Sequence, residues 1–377
     1  MYENSRTKGI LVPTLFDPFS LKGVTLRNRI TVSPMCQYSA VDGVADEWHR
    51  AHLAGLARGG AGLVTVEATA VSPEGRISPG DLGLWNDAQA EALAPMVGLI
   101  RSAGAVAGIQ LAHAGRKASA NRPWEGDDHI PDNDPRGWPT LSPSAIAFGG
   151  GLGKVPREMT VEDIARVRAD FVSAAERARE LGFEWLNLHF AHGYLGQSFL
   201  SRHANHRTDE YGGSLENRSR FLVETLRAVR AVWPEDRPLT ARLGVIEFDG
   251  HDEETLVDAI ETIRLMKADG LDLVDVSMGF STVDAEIPWG PALLAPYAER
   301  VRKEAELPTS TSWKIRTPRQ ANDLVANEQV DLVAIGTALL ADPHWPFRAA
   351  RELGVEAPAA TTLPAQYAHW LARYDAS

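Results

Sequence analysis

Thr160-Val-Glu-Asp-Ile-Ala-Arg-Val-Arg-Ala-Asp-Phe-Val-Ser-Ala-Ala-Glu-Arg-Ala-Arg-Glu-Leu-Gly182, running directly into Phe183-Glu-Trp-Leu-Asn-Leu-His189, decides the fold. Thr160 with Asp163 approximates a capping box, in which a hydroxyl accepts the N3 amide and the N3 carboxylate reaches back to the cap. Ile164, Val167, Phe171, Ala174, Ala178 and Leu181 recur at the spacing that lines one helix face, and Gly182 supplies the stop. Trp185–His189 then reads as a short buried strand. Helix followed by strand is the unit, and it repeats in both directions along the chain.

The predicted strands are Ile30–Val32, Leu63–Glu67, Val106–Leu111, Trp185–His189, Leu239–Leu243, Leu273–Val276, Thr309–Ser312 and Leu332–Ile335. A second clear helix covers Glu253–Ala268 and closes at Gly270. Eight strands with crossover helices predict an α/β fold of the TIM-barrel, (β/α)8 type, because an open sheet leaves exposed edges. An open doubly wound sheet is the alternative that pattern alone leaves. Leu15–Leu26 reads as a hairpin closing the bottom, and the Gly59-Gly60-Ala-Gly62 run as tight packing before the second strand. Ala114–Pro156 and Phe190–Gly213 read as long βα loops over the catalytic face, within one domain spanning 1–377. An aromatic C-terminal arm at about 361–377 is a candidate for docking on a neighbour.

Composition narrows the function. The 377 residues carry 38 basic and 50 acidic side chains, a net charge of −12, which argues against nucleic-acid or anionic-membrane binding. With 44% hydrophobic residues a large core is available. One cysteine, Cys36, excludes an intrachain disulfide, a cysteine-ligated iron–sulfur cluster and a four-thiolate zinc site. No apolar run reaches the roughly 18–20 residues of a membrane span. Met1–Lys8 shows no signal-peptide pattern, so the expectation is a cytoplasmic enzyme.

In a barrel, function belongs just beyond the strands' C-terminal ends. Pro34-Met-Cys-Gln-Tyr38, Ala68, Gln110, His113, His189, His192, Arg242, Trp313, Lys314 and Gly336 all fall at such ends. In a straight strand His189 and His192 face opposite sides, so the imidazoles meet only if the chain turns, as Gly193 permits. With Tyr194 they suit polarisation and protonation of an oxygen-bearing substrate; a metal pair or a structural cluster are the other readings. Arg242 ends an apolar strand and needs an anion, supplied either by a cofactor or by a buried carboxylate. Gln110 offers donor and acceptor to a heterocycle edge or serves the barrel. Cys36 reads first as a small buried hydrophobe, and Trp313 first as core.

Pro34–Tyr38, Gln110-Leu-Ala-His-Ala-Gly-Arg116, His189-Phe-Ala-His-Gly-Tyr-Leu195 and Arg207-Thr-Asp-Glu-Tyr-Gly-Gly-Ser-Leu-Glu-Asn-Arg218 together resemble the Old Yellow Enzyme family of FMN-dependent ene-reductases. Cys36 and the segment Gly115–Asp128 resemble its xenobiotic reductase branch, over about Leu15 to Trp370. Longer members that reduce dienoyl-CoA carry an iron–sulfur cluster and extra domains, which one cysteine and 377 residues do not accommodate. The resemblance implies tightly bound FMN on the C-terminal face, with NAD(P)H as hydride donor. Turnover is then ping-pong, through flavin N5, with reduction of electron-poor alkenes such as enones, and of nitro or other xenobiotic compounds. It implies Gln110 on the pyrimidine edge and Arg242 near N1/O2. Ser33, Pro34, Met35, Cys36 and Ala68 border the ring system, and Cys36 tunes the flavin without acting as a nucleophile. His189 and His192 then bind the substrate oxygen, Tyr194 protonates the α-carbon, and Tyr38 and Trp313 shape the pocket. Trp370 reaches an adjoining subunit's site in a homodimer or homotetramer.

One departure concerns the phosphate. The family commonly cradles it with a glycine after the seventh strand and Gly-Arg after the eighth. Here the sequence reads Ser312-Trp-Lys-Ile-Arg316 and Gly336-Thr337. A bidentate guanidinium is missing, which predicts looser FMN unless Lys314, Arg316 or Thr337 compensates. A metal-dependent hydrolase, or a flavin-deficient binding homologue, remain the competing functions.

Overall fold

The computed structural model describes residues 12–374; the N-terminal Met1–Lys8 segment and the last three residues of the arm lie outside the described residues. Eight parallel strands close into a barrel: β1 Ile30–Val32, β2 Leu63–Ala70, β3 Val106–Ala112, β4 Trp185–Phe190, β5 Leu239–Ile246, β6 Leu273–Met278, β7 Thr309–Thr311 and β8 Leu332–Ile335. Neighbours in space are neighbours in sequence, and β8 returns to β1 through Val333↔Ile30. The open-sheet alternative is thereby overturned.

Every barrel-strand residue except Val106 is buried, since strands covered by helices outside and side chains inside have no wet face. The outer ring is α1 Glu47–Arg58, α2 Asp87–Ser102, α3 Val161–Glu180, α4 Leu215–Arg230, α5 Asp252–Ala268, α6 Ala295–Ala305, α7 Pro318–Ala326 and α8 Trp345–Glu352. In α3 the Thr160 hydroxyl accepts the Asp163 amide at 3.2 Å, and the Asp163 carboxylate accepts the Thr160 amide at 2.9 Å. Ile164, Val167, Phe171, Ala174 and Ala178 are buried as the periodicity requires, while Leu181 is only half-buried. Gly182 stands at φ +88 and ends the helix.

The hairpin pairs Phe19–Leu21 with Val24–Leu26. Val24 and Leu26 pack on Leu63, Trp185, Leu273 and Leu332, residues at the starts of barrel strands, so the hairpin plugs the bottom. The glycine run before β2 is tight packing: a Cβ on Gly59 would lie 1.6 Å from the Pro343 carbonyl oxygen, and one on Gly62 would lie 2.4 Å from that of Asn28.

At the rim β2–β6 are longer than expected and β7 is shorter by one residue. Ala68 therefore lies inside β2 and not after it, beside a register shift between Val66 and Ala68 that leaves Glu67 out of the ladder. Phe190 belongs to β4, and the following loop contains a short helix, Leu195–Leu200. The long 114–156 loop folds through 3-10 turns and a two-residue strand, Leu141–Ser142, paired with Arg157–Glu158.

Candidate active site

After His189 the chain turns through two consecutive left-handed residues, His192 (φ +62) and Gly193 (φ +69). The turn brings three rings together: centroids of His189 and His192 are 4.9 Å apart, of His189 and Tyr194 5.0 Å, and of His192 and Tyr194 6.2 Å. Nδ1 of His189 accepts the Ala191 amide at 3.2 Å, so the neutral ring carries its proton on Nε2. Nε2 of His192 pairs with Ser277 Oγ at 2.8 Å, and the same oxygen accepts the Trp313 indole N–H at 3.2 Å. The free ring nitrogen of His192 is therefore Nδ1.

Burial sets the protonation states. It holds both imidazoles well below the usual histidine range, and the Arg242 cation adds to the shift. It also pushes the Tyr194 phenol well above its ordinary value and raises Tyr38. The Cys36 thiol is pushed up chiefly by burial, with the carboxyls of Asp81 and Glu67 adding, so it stays a neutral thiol. His113 does not join the cluster: its Nδ1 accepts the Gly115 amide at 3.0 Å, and burial lowers its pKa to about 4.

A polar row crosses the barrel below these rings. Gln110 Nε2 donates to Asn187 Oδ1 at 2.7 Å, and Asn187 Nδ2 to Thr240 Oγ1 at 3.0 Å. Arg242 Nη2 donates to Ser312 Oγ at 2.9 Å, and its Nε lies 3.3 Å from Asp275 Oδ2. Of the two anions expected for Arg242, the buried carboxylate is thus present in the chain itself. Its guanidinium is therefore already paired within the chain, whatever else it meets. Arg242 and Asp275 sit opposite each other on β5 and β6, which is why sequence spacing alone did not reveal the pair.

The pairing leaves hydrogen-bonding capacity over. Nε of Arg242 is buried without an acceptor, its approach to Asp275 being ionic and not aligned as a hydrogen bond, and Ser33 Oγ is buried without a partner. Gly336 keeps the backbone low beside Met35, whose Sδ would be 3.3 Å from an added Cβ. A hydroxyl, a guanidinium N–H and a carboxamide around this mouth match the carbonyls and ring nitrogens of a flavin, so the residues fit the ring of FMN. Lys314 and Arg316, the residues expected to compensate for the missing guanidinium, are exposed, with no carboxylate within 4.0 Å among the described residues. Lys314 Nζ instead lies 5.4 Å over the Trp289 ring. Thr337 opens the short helix Thr337–Ala341. Trp313 and Lys314 are both left-handed, at φ +72 and +58, a strained backbone of about 1–2 kcal/mol each for side-chain-bearing residues.

Tyr38, also left-handed at φ +52, stacks edge-on with Trp124 at 5.7 Å. Trp370 is 76% exposed and touches only the neighbouring His369 ring among the aromatic groups. Sequence reading singled out no site residue on the sixth strand, yet Asp275 within it, Ser277 near its end and Phe280 just beyond all enter the site. Phe280 packs 5.7 Å from His192 and 5.6 Å from Trp313. The rule that chemistry follows strand ends points to Ser277 and Phe280, whereas Asp275 lies mid-strand and is found only through its pairing with Arg242. Among the described residues no three His, Cys, Asp or Glu side chains gather into a metal-binding group, and no helix is long and apolar enough to cross a membrane.

Residues 14–356 match the family model described as the NADH:flavin oxidoreductase / NADH oxidase family. An NADPH dehydrogenase of Geobacillus thermodenitrificans is 43% identical over 355 residues, covering 94% of this chain and 97% of that protein. The structure of the Old Yellow Enzyme homologue from Zymomonas mobilis matches with a TM-score of 0.76 at 28% identity, over 90% of this chain and 93% of that one. A 2-naphthoyl-CoA reductase in complex with 2-naphthoyl-CoA matches with a TM-score of 0.81 at 25% identity. That match covers 90% of this chain and 52% of the reductase, so the chain spans about half its length.

Proposed function

Because this chain belongs to the NADH:flavin oxidoreductase / NADH oxidase family, as an FMN-dependent NAD(P)H oxidoreductase of Old Yellow Enzyme type, we propose that it reduces activated C=C bonds of enones and accepts nitro compounds at the same site. FMN, when bound, would supply the hydride-transfer chemistry that links nicotinamide oxidation to alkene reduction. Ser33, Gln110 and Arg242 would hold its ring by hydrogen bonds, with Pro34, Met35, Cys36, Ala68 and Trp313 at its borders. Lys314, Arg316, Gly336 and Thr337 would meet its phosphate.

His189 offers an Nε2–H, and His192 its Nδ1–H while Ser277 donates to Nε2, to the carbonyl or nitro oxygen of the substrate. Negative charge grows on that oxygen as the β-carbon is reduced, and prealigned donors in a dry site favour the charged form. Neutral imidazoles suit this role because they keep a ring acceptor locked and a donor free. Tyr194 stays a phenol at neutral pH, so it has a proton to give to the α-carbon. Tyr38 and Trp313 bound the pocket.

The observation that carries the reading is the contact of His189, His192 and Tyr194, each held in its neutral form by desolvation. The test is an absorbance spectrum of purified protein, followed anaerobically by NADPH and then 2-cyclohexenone. Yellow colour bleached by the first and restored by the second supports the proposal; colour that is absent after incubation with FMN, or that the enone fails to restore, refutes it. The exposed Trp370 supports a homo-oligomer in which the arm nears a neighbouring site. Light scattering showing a monomer, with an unchanged enone KM in W370A, would remove that part.

A further inference from the structure

Lys117 lies against the turn that presents the imidazoles, and none of the roles above uses it. Its Nζ donates to the carbonyl oxygen of His192 at 2.8 Å and to that of Phe280 at 2.7 Å. Both carbonyls belong to left-handed residues, at φ +62 and φ +51, a conformation that side-chain-bearing residues resist. The third side of the amine faces the Phe148 ring, 3.9 Å from its centroid. Gly193 makes room for it, because a Cβ there would sit 2.8 Å from both Cε and Nζ of Lys117 and 2.3 Å from the Phe280 oxygen. The arrangement is a built socket for one amine, bridging the loops after β4 and β6.

We propose that Lys117 is a positioning residue, whose ammonium ties these two loops together and so holds the His192 imidazole where a substrate oxygen meets it. The inference rests on the role given above to the imidazole pair. An ammonium bonds carbonyl oxygens more strongly than a neutral donor, so loss of the cation loosens both strained residues at once. Arg116 on the same turn disfavours the cation, while Glu247 after β5 and Asp127 on the long loop favour it. Burial brings the amine down to about 7, and its charge in turn helps to keep His189 and His192 neutral.

The test uses flavin-loaded enzyme and K117M, which keeps the length of the side chain and removes its N–H groups. The KM for 2-cyclohexenone should rise about tenfold, with kcat and the rate of flavin reduction by NADPH within about threefold of the parent. In an H192A background the same substitution should add no further loss in kcat/KM, because the group being positioned is gone. K117Q keeps N–H donors and should recover part of the KM; it is also read in both backgrounds should K117M fail to fold. A parent-like KM in a folded Lys117 variant, or losses that multiply in the double variant, overturn the proposal. An H192A enzyme with unchanged KM would overturn the imidazole assignment itself, and the clamp with it; failure of NADPH to bleach the protein would show earlier still that the parent reading is wrong.

Discussion

Replacing His189 with alanine removes one prealigned donor, and its effect is calculable from the site. The ring is buried, its Nδ1 is occupied by the Ala191 amide, and its Nε2–H is the hydrogen available to substrate. Donors in comparable oxyanion sites contribute about 3 kcal/mol to the transition state. At 1.36 kcal/mol per decade, that is roughly a 150-fold loss in the rate of enone reduction. The nicotinamide half-reaction develops no negative charge on a substrate oxygen, so it should change by about threefold or less. Anaerobic stopped-flow separates the two: bleaching at the flavin band with NADPH, then recovery of colour with 2-cyclohexenone. Near-equal losses in both phases, or a loss below about threefold in the second, would refute the idea that His189 polarises the substrate. At saturating enone the parent's second phase should also show no titration near the ordinary histidine value, because burial holds the folded ring neutral there; the Lys117 amine, at about 7, is read in KM instead.

Tyr194→Phe should slow enone reduction by about 10²-fold or more while leaving NADPH oxidation by the bound flavin near the parent rate, measured by the same two phases. T337R should restore a guanidinium after β8 and slow the loss of FMN on dialysis, followed by the flavin absorbance retained; retention equal to the parent's would mean that Lys314 or Arg316 already fulfils the role. Phe171→Ala should destabilise the fold by about 3–5 kcal/mol, read from denaturant unfolding, because Phe171 is 1% exposed between α3 and the barrel. His113 gives a pH signature: its folded pKa of about 4 lies below the unfolded value near 6.5, so the unfolded chain takes up the proton first and stability is lost as pH falls below 6.5. Between pH 7.5 and 5.5 the parent should lose about 1.3 kcal/mol more than H113Q, and parallel losses would place the proton elsewhere.

Much of this molecule is legible before any coordinates. The eight strands announce themselves because each is a short run buried on both faces, and α3 because its cap, stripe and stop agree. Their outer ends are not legible, since β2 and β5 extend over the rim only through pairing with neighbours far away in sequence. The turn after His189 is readable from Gly193, whereas the left-handed Trp313–Lys314 pair has no glycine to mark it. Arg242 could be recognised as needing an anion, but its partner Asp275 lies on another strand in a segment whose serines and aspartate are individually commonplace. Lys117 escapes for a similar reason, because its partners are backbone oxygens and leave no trace in residue types.

The hairpin stopper beneath the barrel has a practical corollary. It fastens the foot of the cylinder through Val24 and Leu26 with no help from the loops that carry the imidazoles. Reshaping the upper loops for new substrates therefore need not disturb what keeps the staves together, and effort spent on hardening the base against heat should leave selectivity where it was.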